Sequence, residues 1–229
     1  MDSAGAEMKK LLVIFAVIVG SVGCYKYFFK SWSPYYQEKL YKAPRPLLVQ
    51  ALQLLNEQPN KEKKALDLGA GAGNDTALLL KNGWQVWAND KEPEAIQVIS
   101  TRTDVEPYRQ HLTLICASFT DLPWDTLPLF DLVYAGYALP FVDKDRFADV
   151  WHNIVNALKP QAILAVHFFG ARHEGFNAWE KRSMNFFTKE EIIYLLKGFE
   201  IIVLEESADT NERGIMDHSF SVVARKMSY

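Results

Sequence analysis

The chain has 229 residues and a mass of 26.2 kDa, the size of one enzyme-like domain with some length to spare. Lys and Arg number 25 against 28 Asp and Glu, and a net charge of −3 excludes a strongly basic binder of nucleic acid or anionic lipid. A hydrophobic share of 49% excludes a disordered or collagen-like chain. The two cysteines, Cys24 and Cys116, each stand in an apolar run, which excludes a disulfide framework and a cysteine-based zinc site.

In chain order, the first feature is an apolar stretch from Leu11 to Phe29, opened by Leu11 to Val19 without a polar side chain. It is apolar all round and predicts a membrane anchor over residues 1–30, ahead of one domain over 31–229. Met8-Lys9-Lys10 also resembles the start of a signal peptide, and Ser21-Val22-Gly23-Cys24 a bacterial lipoprotein box. An exported lipoprotein is therefore the alternative. An aromatic segment, Trp32 to Tyr41, follows, and Leu47, Leu48, Ala51, Leu52, Leu54 and Leu55 recur at helical spacing before a polar linker, Asn56 to Lys64.

From Ala65 onward strands and helices alternate. Strands are predicted over 65–68, 84–88, 111–117, 130–134 and 162–169, with helices over 74–81, 93–100 and 143–158 between them. Pro93 suits the first turn of its helix, and Thr188 with Glu191 forms a capping box for another that runs to Lys197. Strands over 199–204 and 218–224 close the chain with no helix between them, so they pair antiparallel. The expected fold is α/β: a Rossmann-like doubly wound sheet of about seven strands, mostly parallel with an antiparallel last strand.

Asp67-Leu68-Gly69-Ala70-Gly71-Ala72-Gly73 leads from the first strand into a helix. Glycines there permit a tight turn and let a ligand lie on bare backbone beside helix amides. The third glycine comes one residue earlier than in a dinucleotide loop, and Asn74 holds the later place. Asp67 stands where a carboxylate can accept hydrogen bonds near a bound amine. Asp90 ends the second strand about twenty residues further on, the spacing at which a carboxylate reaches both ribose hydroxyls.

At these residues the chain resembles the class I S-adenosylmethionine-dependent methyltransferases, over roughly Trp32 to Lys226. Leu66 to Thr76 resembles that family's first motif, Asp90 with Pro93-Glu94-Ala95-Ile96 its ribose-binding acid and helix, and Phe130 to Phe141 its fourth-strand motif. Leu158-Lys159-Pro160 is similar to the turn before the fifth strand, with Gln161 where the family has glycine. The group it most resembles is the small bacterial tellurite-resistance methyltransferases, which share a tail like Phe187 to Glu191 followed by His218 to Lys226.

The resemblance implies S-adenosylmethionine as cofactor, held by Asp67, Gly69, Ala70, Gly71, Gly73, Asp90, Lys91, Ser118, Phe119 and Ala135. Tyr36 and Arg45 are implied as a lid, with Arg45 near the methionine carboxylate; Trp32 belongs to the lid or to an interfacial aromatic belt. One departure stands out. Where the family has an acid for the adenine amino group, this chain has Ser118-Phe119, with Asp121 as the next acid in reach.

No catalytic base is nominated, because methyl transfer from a sulfonium rests on holding and aligning the reactants. Tyr137 and His167 would face the acceptor, though each reads first as a pocket wall or core residue. No two histidines show tight ligand spacing, so no metal is expected. The acceptor is open between a small molecule, a lipid and other classes. A cofactor-binding protein without activity and an NAD(P)-dependent oxidoreductase are the alternatives. S-Adenosylmethionine is made in the cytosol, and Lys26, Lys30, Lys39, Lys42 and Arg45 follow the apolar run while Lys9 and Lys10 precede it. Both point to a domain on the cytoplasmic face.

Overall fold

The computed structural model describes residues 32–55, 63–176, 180–212 and 214–228. The anchor expected over Leu11–Phe29 lies outside them. Among the described residues no helix is long and apolar enough to cross a membrane.

The chain enters through two helices, α1 (Ser33–Lys39) and α2 (Pro46–Leu55). Helix α1 falls in the aromatic segment, where periodicity alone predicts no helix. Only seven residues long, it is held by packing: Tyr36 is buried against Ala72 and Ala95. Then follow β1 (Lys64–Leu68), α3 (Asn74–Lys81), β2 (Gln85–Asp90), α4 (Pro93–Thr101), β3 (Leu112–Cys116) and β4 (Phe130–Ala135). Helix α5 (Phe147–Ala157), β5 (Leu158–Phe169), α6 (Glu180–Ser183), α7 (Lys189–Leu195), β6 (Phe199–Thr210) and β7 (Met216–Lys226) complete it. The capping box of α7 forms as expected: the Glu191 amide donates to the Thr188 hydroxyl, and the Thr188 amide to the Glu191 carboxylate.

The seven strands form one sheet in the order β3-β2-β1-β4-β5-β7-β6. All neighbours from β3 to β5 run parallel, and β7 is antiparallel to both β5 and β6. Strands β1, β2, β4 and β5 bury residues of both parities, as a sheet covered on both faces requires, while the edge strand β3 is only partly covered. Leu66, Leu164, Val166 and Phe168 pack with α5 and Trp151 on one face, while Ala65, Ile163 and Ala165 pack with α2 and α3 on the other.

The topology dictates where a ligand fits. From β1 the chain steps outward to β2 and β3, then returns to place β4 on the other side of β1. The connections after β1 and β4 therefore diverge and leave a crevice at the strands' carboxyl ends. Asp67 pairs in register with Ala88 and with Tyr134, so the glycine loop, Asp90 and Ala135 all open on that end.

Candidate active site

The loop after β1 takes left-handed backbone at all three of its glycines, with φ of +70° at Gly69, +56° at Gly71 and +75° at Gly73. Their surroundings differ. A side chain at Gly69 would collide with the Ala138 Cβ in the loop after β4, and one at Gly73 with Ile99 on α4. Those two glycines let the loop pack against its neighbours. At Gly71 an added Cβ would meet only the Tyr36 ring, at 3.8 Å, and the Gly69 carbonyl, at 3.9 Å. This is the bare backbone a ligand can approach.

Asp90 turns toward the same point. Its Oδ2 accepts from the Gly71 amide at 2.9 Å and its Oδ1 from the Glu92 amide at 3.0 Å. A carboxylate has about four lone-pair sites, so each oxygen keeps one free for a further donor. Burial raises the Asp90 pKa, with the Glu92 and Gly71 amides working against it. Tyr36 lies over Gly71, and its hydroxyl is pushed up by burial and then by the Asp90 charge, so it stays protonated. Lys91 is exposed, and its ammonium lies 3.9 Å from Glu92.

Asp67 is placed differently from the expectation of a bound amine. Its side chain is 1% exposed and accepts from the Thr76 hydroxyl beneath the loop. Burial, reinforced by the Asp75 charge, raises its pKa to about 7. Arg45 likewise has a protein partner where the methionine carboxylate was expected. Its guanidinium donates to Asp75 Oδ2 at 2.7 Å, its amide to Asp75 Oδ1 at 2.9 Å, and the Tyr134 hydroxyl donates to the same carboxylate at 3.1 Å. Burial works against the Arg45 charge, but Tyr134 and Asp75 more than offset it and its pKa rises.

Ser118 and Asp121, alternatives for the adenine position, are hydrogen-bonded to one another at 2.6 Å. Phe119 stands beside Gly69, its Cζ 3.6 Å from where a Cβ there would lie. Ala135, expected to touch the cofactor, is fully buried, backbone included, and Ala70 is pinned by its amide to the Asn89 carbonyl at 2.9 Å.

Residues 66–166, the stretch that holds this loop, Asp90 and the turn after β4, match the family described as "Methyltransferase domain". That stretch is similar to a methyltransferase domain, and the sheet has the fold of the class I methyltransferases. TehB from Haemophilus influenzae has a similar fold, with a TM-score of 0.68 at 17% identity over 85% of this chain and 66% of that one. So has the 1,6-didemethyltoxoflavin-N1-methyltransferase of Burkholderia thailandensis, solved with 1,6-didemethyltoxoflavin and S-adenosylhomocysteine. Its TM-score is 0.60 at 22% identity over 80% of this chain and 79% of that one. A probable dimethyladenosine transferase of Dictyostelium discoideum is 32% identical over 91 residues, 40% of this chain and 28% of the relative. The chain thus spans about a quarter of that relative's length and just under two thirds of TehB's.

Tyr137 and His167 come together as a stacked pair, with ring centroids 4.0 Å apart. Tyr137 takes φ +59°, an uncommon setting for a bulky residue that is found at functional turns. Burial, and then Arg45, depress the His167 pKa to about 3, so the ring is neutral at physiological pH. The described residues hold no group of three or more His, Cys, Asp or Glu able to bind a metal. Asp75 and Tyr134, the partners of Arg45, are residues that spacing alone does not single out. Asp75 shows only as an acid in the first turn of α3, where a helix dipole would explain it equally well.

Proposed function

We propose that this chain transfers a methyl group from S-adenosylmethionine to a small-molecule acceptor. The single observation that carries the reading is the 2.9 Å bond from the Gly71 amide to Asp90, which brings bare backbone and a carboxylate with free lone pairs to one point of the crevice. When bound, S-adenosylmethionine supplies a sulfonium-activated methyl group for in-line displacement.

The residues present fit that group. Asp90 has one acceptor site on each oxygen for the two ribose hydroxyls, and Gly71 offers backbone without a side chain beside it. Phe119, beside Gly69, would flank the adenine. Tyr36 covers the loop and keeps water out, and the Arg45–Asp75 pair fixes the entrance to α2 against the start of α3. The bound S-adenosylhomocysteine of the Burkholderia enzyme is consistent with this use of the fold. The Leu11–Phe29 segment is proposed as the anchor that keeps the domain on the cytoplasmic face, supported by the cations that follow it. Protease digestion of a tag after Tyr229 in intact spheroplasts would overturn that placement.

Calorimetric titration of the full chain with S-adenosylhomocysteine and with NAD tests the main reading. Saturable binding of the first and none of the second is expected. Binding of NAD alone would replace this reading with an oxidoreductase.

A further inference from the structure

The geometry points to a flat, uncharged aromatic molecule bearing a phenolic O–H or ring N–H as the methyl acceptor, seated on the aromatic rings at the carboxyl ends of β4 and β5. This inference rests on the methyltransferase reading and goes beyond it to the substrate class.

Three sets of observations carry it. The first is the wall itself. Phe141 stands edge-on to Trp32 at 5.6 Å, to Phe169 at 6.2 Å and to Phe176 at 6.0 Å, and Tyr137 lies 5.9 Å from Phe169. A closed core would hide such rings, yet Phe141 is 37% exposed, and Trp32, Tyr137 and Phe176 are only half-buried. A bound ring would gain both the burial and the edge-to-face contacts that these rings already make with one another.

The second is position. Trp32 accepts a hydrogen bond from the Tyr36 amide, one helical turn away, and Tyr36 is the residue over Gly71. Ala138, between Tyr137 and Phe141, packs directly against Gly69. The rings are thus neighbours of the glycine loop.

The third is polarity. His167 and Phe169, two apart on β5, share a sheet face. His167 is 5% exposed, stacks on Tyr137, and has a buried Nδ1 with no hydrogen-bond partner. In the Nε2–H tautomer this nitrogen is an acceptor, and leaving it buried and unpaired is a cost that an O–H or N–H on a ligand reaching it would remove. Arg45, the cation 5.8 Å from the Tyr137 ring, is already neutralised by Asp75 and offers little to an anion. An uncharged donor-bearing ring suits both groups.

In the transfer, the acceptor oxygen or nitrogen lone pair forms the new bond to the methyl carbon while the carbon–sulfur pair returns to sulfur. The O–H or N–H proton, made strongly acidic by alkylation, leaves to water across the open side of Phe141.

The test uses the full chain saturated with S-adenosylhomocysteine and titrated calorimetrically with 2-naphthol, with its saturated analogue decahydro-2-naphthol, and with the cation N-methylquinolinium. Binding of 2-naphthol is expected at least about fivefold tighter than either control, and about fivefold weaker in Phe141→Ala and in Trp32→Ala. Circular dichroism and the S-adenosylhomocysteine titration establish that each variant is folded. Cofactor binding without 2-naphthol binding, equal affinity for the saturated alcohol, or no loss in both variants would overturn the aromatic acceptor and leave the methyltransferase reading standing. Failure of S-adenosylhomocysteine itself to bind would overturn both.

Discussion

Arg45 is joined to Asp75 twice, through its backbone amide at 2.9 Å and its guanidinium at 2.7 Å, thirty residues apart in the chain. This clamp ties the segment between α1 and α2 to the first turn of α3, the helix that the glycine loop opens into. Gly136 makes room for it: a side chain there would run into the Tyr134 hydroxyl and the Arg45 Cδ. The Asp75 side chain is 4% exposed and that of Arg45 33%, so the pair is only half shielded from solvent.

Asp75→Asn should therefore destabilise the fold by about 2 kcal/mol, less than a fully buried ion pair would cost. It should also weaken S-adenosylhomocysteine binding several-fold by loosening the segment that carries Tyr36. Urea unfolding and calorimetry check the two effects. No change in either would show that the clamp does not hold the lid.

Asp67 gives the fold a pH dependence of defined sign. Its folded pKa is raised from 3.8 to about 7, so between those values the unfolded chain releases a proton that the native state keeps. Stability from this group falls as pH rises through that window and is level above it. Asp67→Asn keeps an acceptor for Thr76 and removes the titration. The difference in unfolding free energy between the parent and this variant should shift by a few kcal/mol between pH 4 and pH 8, in the parent's disfavour at the higher pH. A difference that stays flat would contradict the assignment.

The glycines should separate by role. Gly69→Ala places a methyl group against Ala138 at φ +70° and should cost about 2–3 kcal/mol of stability. Gly71→Ala meets no such obstacle and should cost about 1 kcal/mol for its φ alone, while cofactor affinity falls at least about tenfold. Equal stability loss with unchanged affinity in the second variant would remove Gly71 from the site.

The alternating core was legible because β1 to β5 and the helices between them carry strong periodicity, and their order dictates a parallel sheet. Within that core, Gly73-Asn74 and the Glu92-Pro93 turn mark their helix starts to within a residue. Helix α1 was not legible, since its seven residues owe their shape to Tyr36 packing on Ala72 and Ala95. Strand β6 runs to Thr210, six residues past its predicted end, because pairing with β7 extends a polar edge that has no apolar pattern. Gln161 takes φ +65°, which explains why glycine is the residue expected there by resemblance. The partners of Asp67 and Arg45 were hidden for a simpler reason. Both acids of the network, Asp67 and Asp75, lie in one motif, and spacing does not tell which of them meets a ligand and which meets the protein.

Asp90 provides the most direct measurement. The parent chain, Asp90→Asn and Asp90→Ala are titrated with S-adenosylhomocysteine under identical conditions, with circular dichroism establishing that all three are folded. If the carboxylate accepts from both ribose hydroxyls, alanine should cost about 3 kcal/mol, on the order of a hundredfold in affinity, and asparagine less, because it keeps one acceptor oxygen. Folded variants that bind as tightly as the parent would contradict a cofactor held between Gly71 and Asp90.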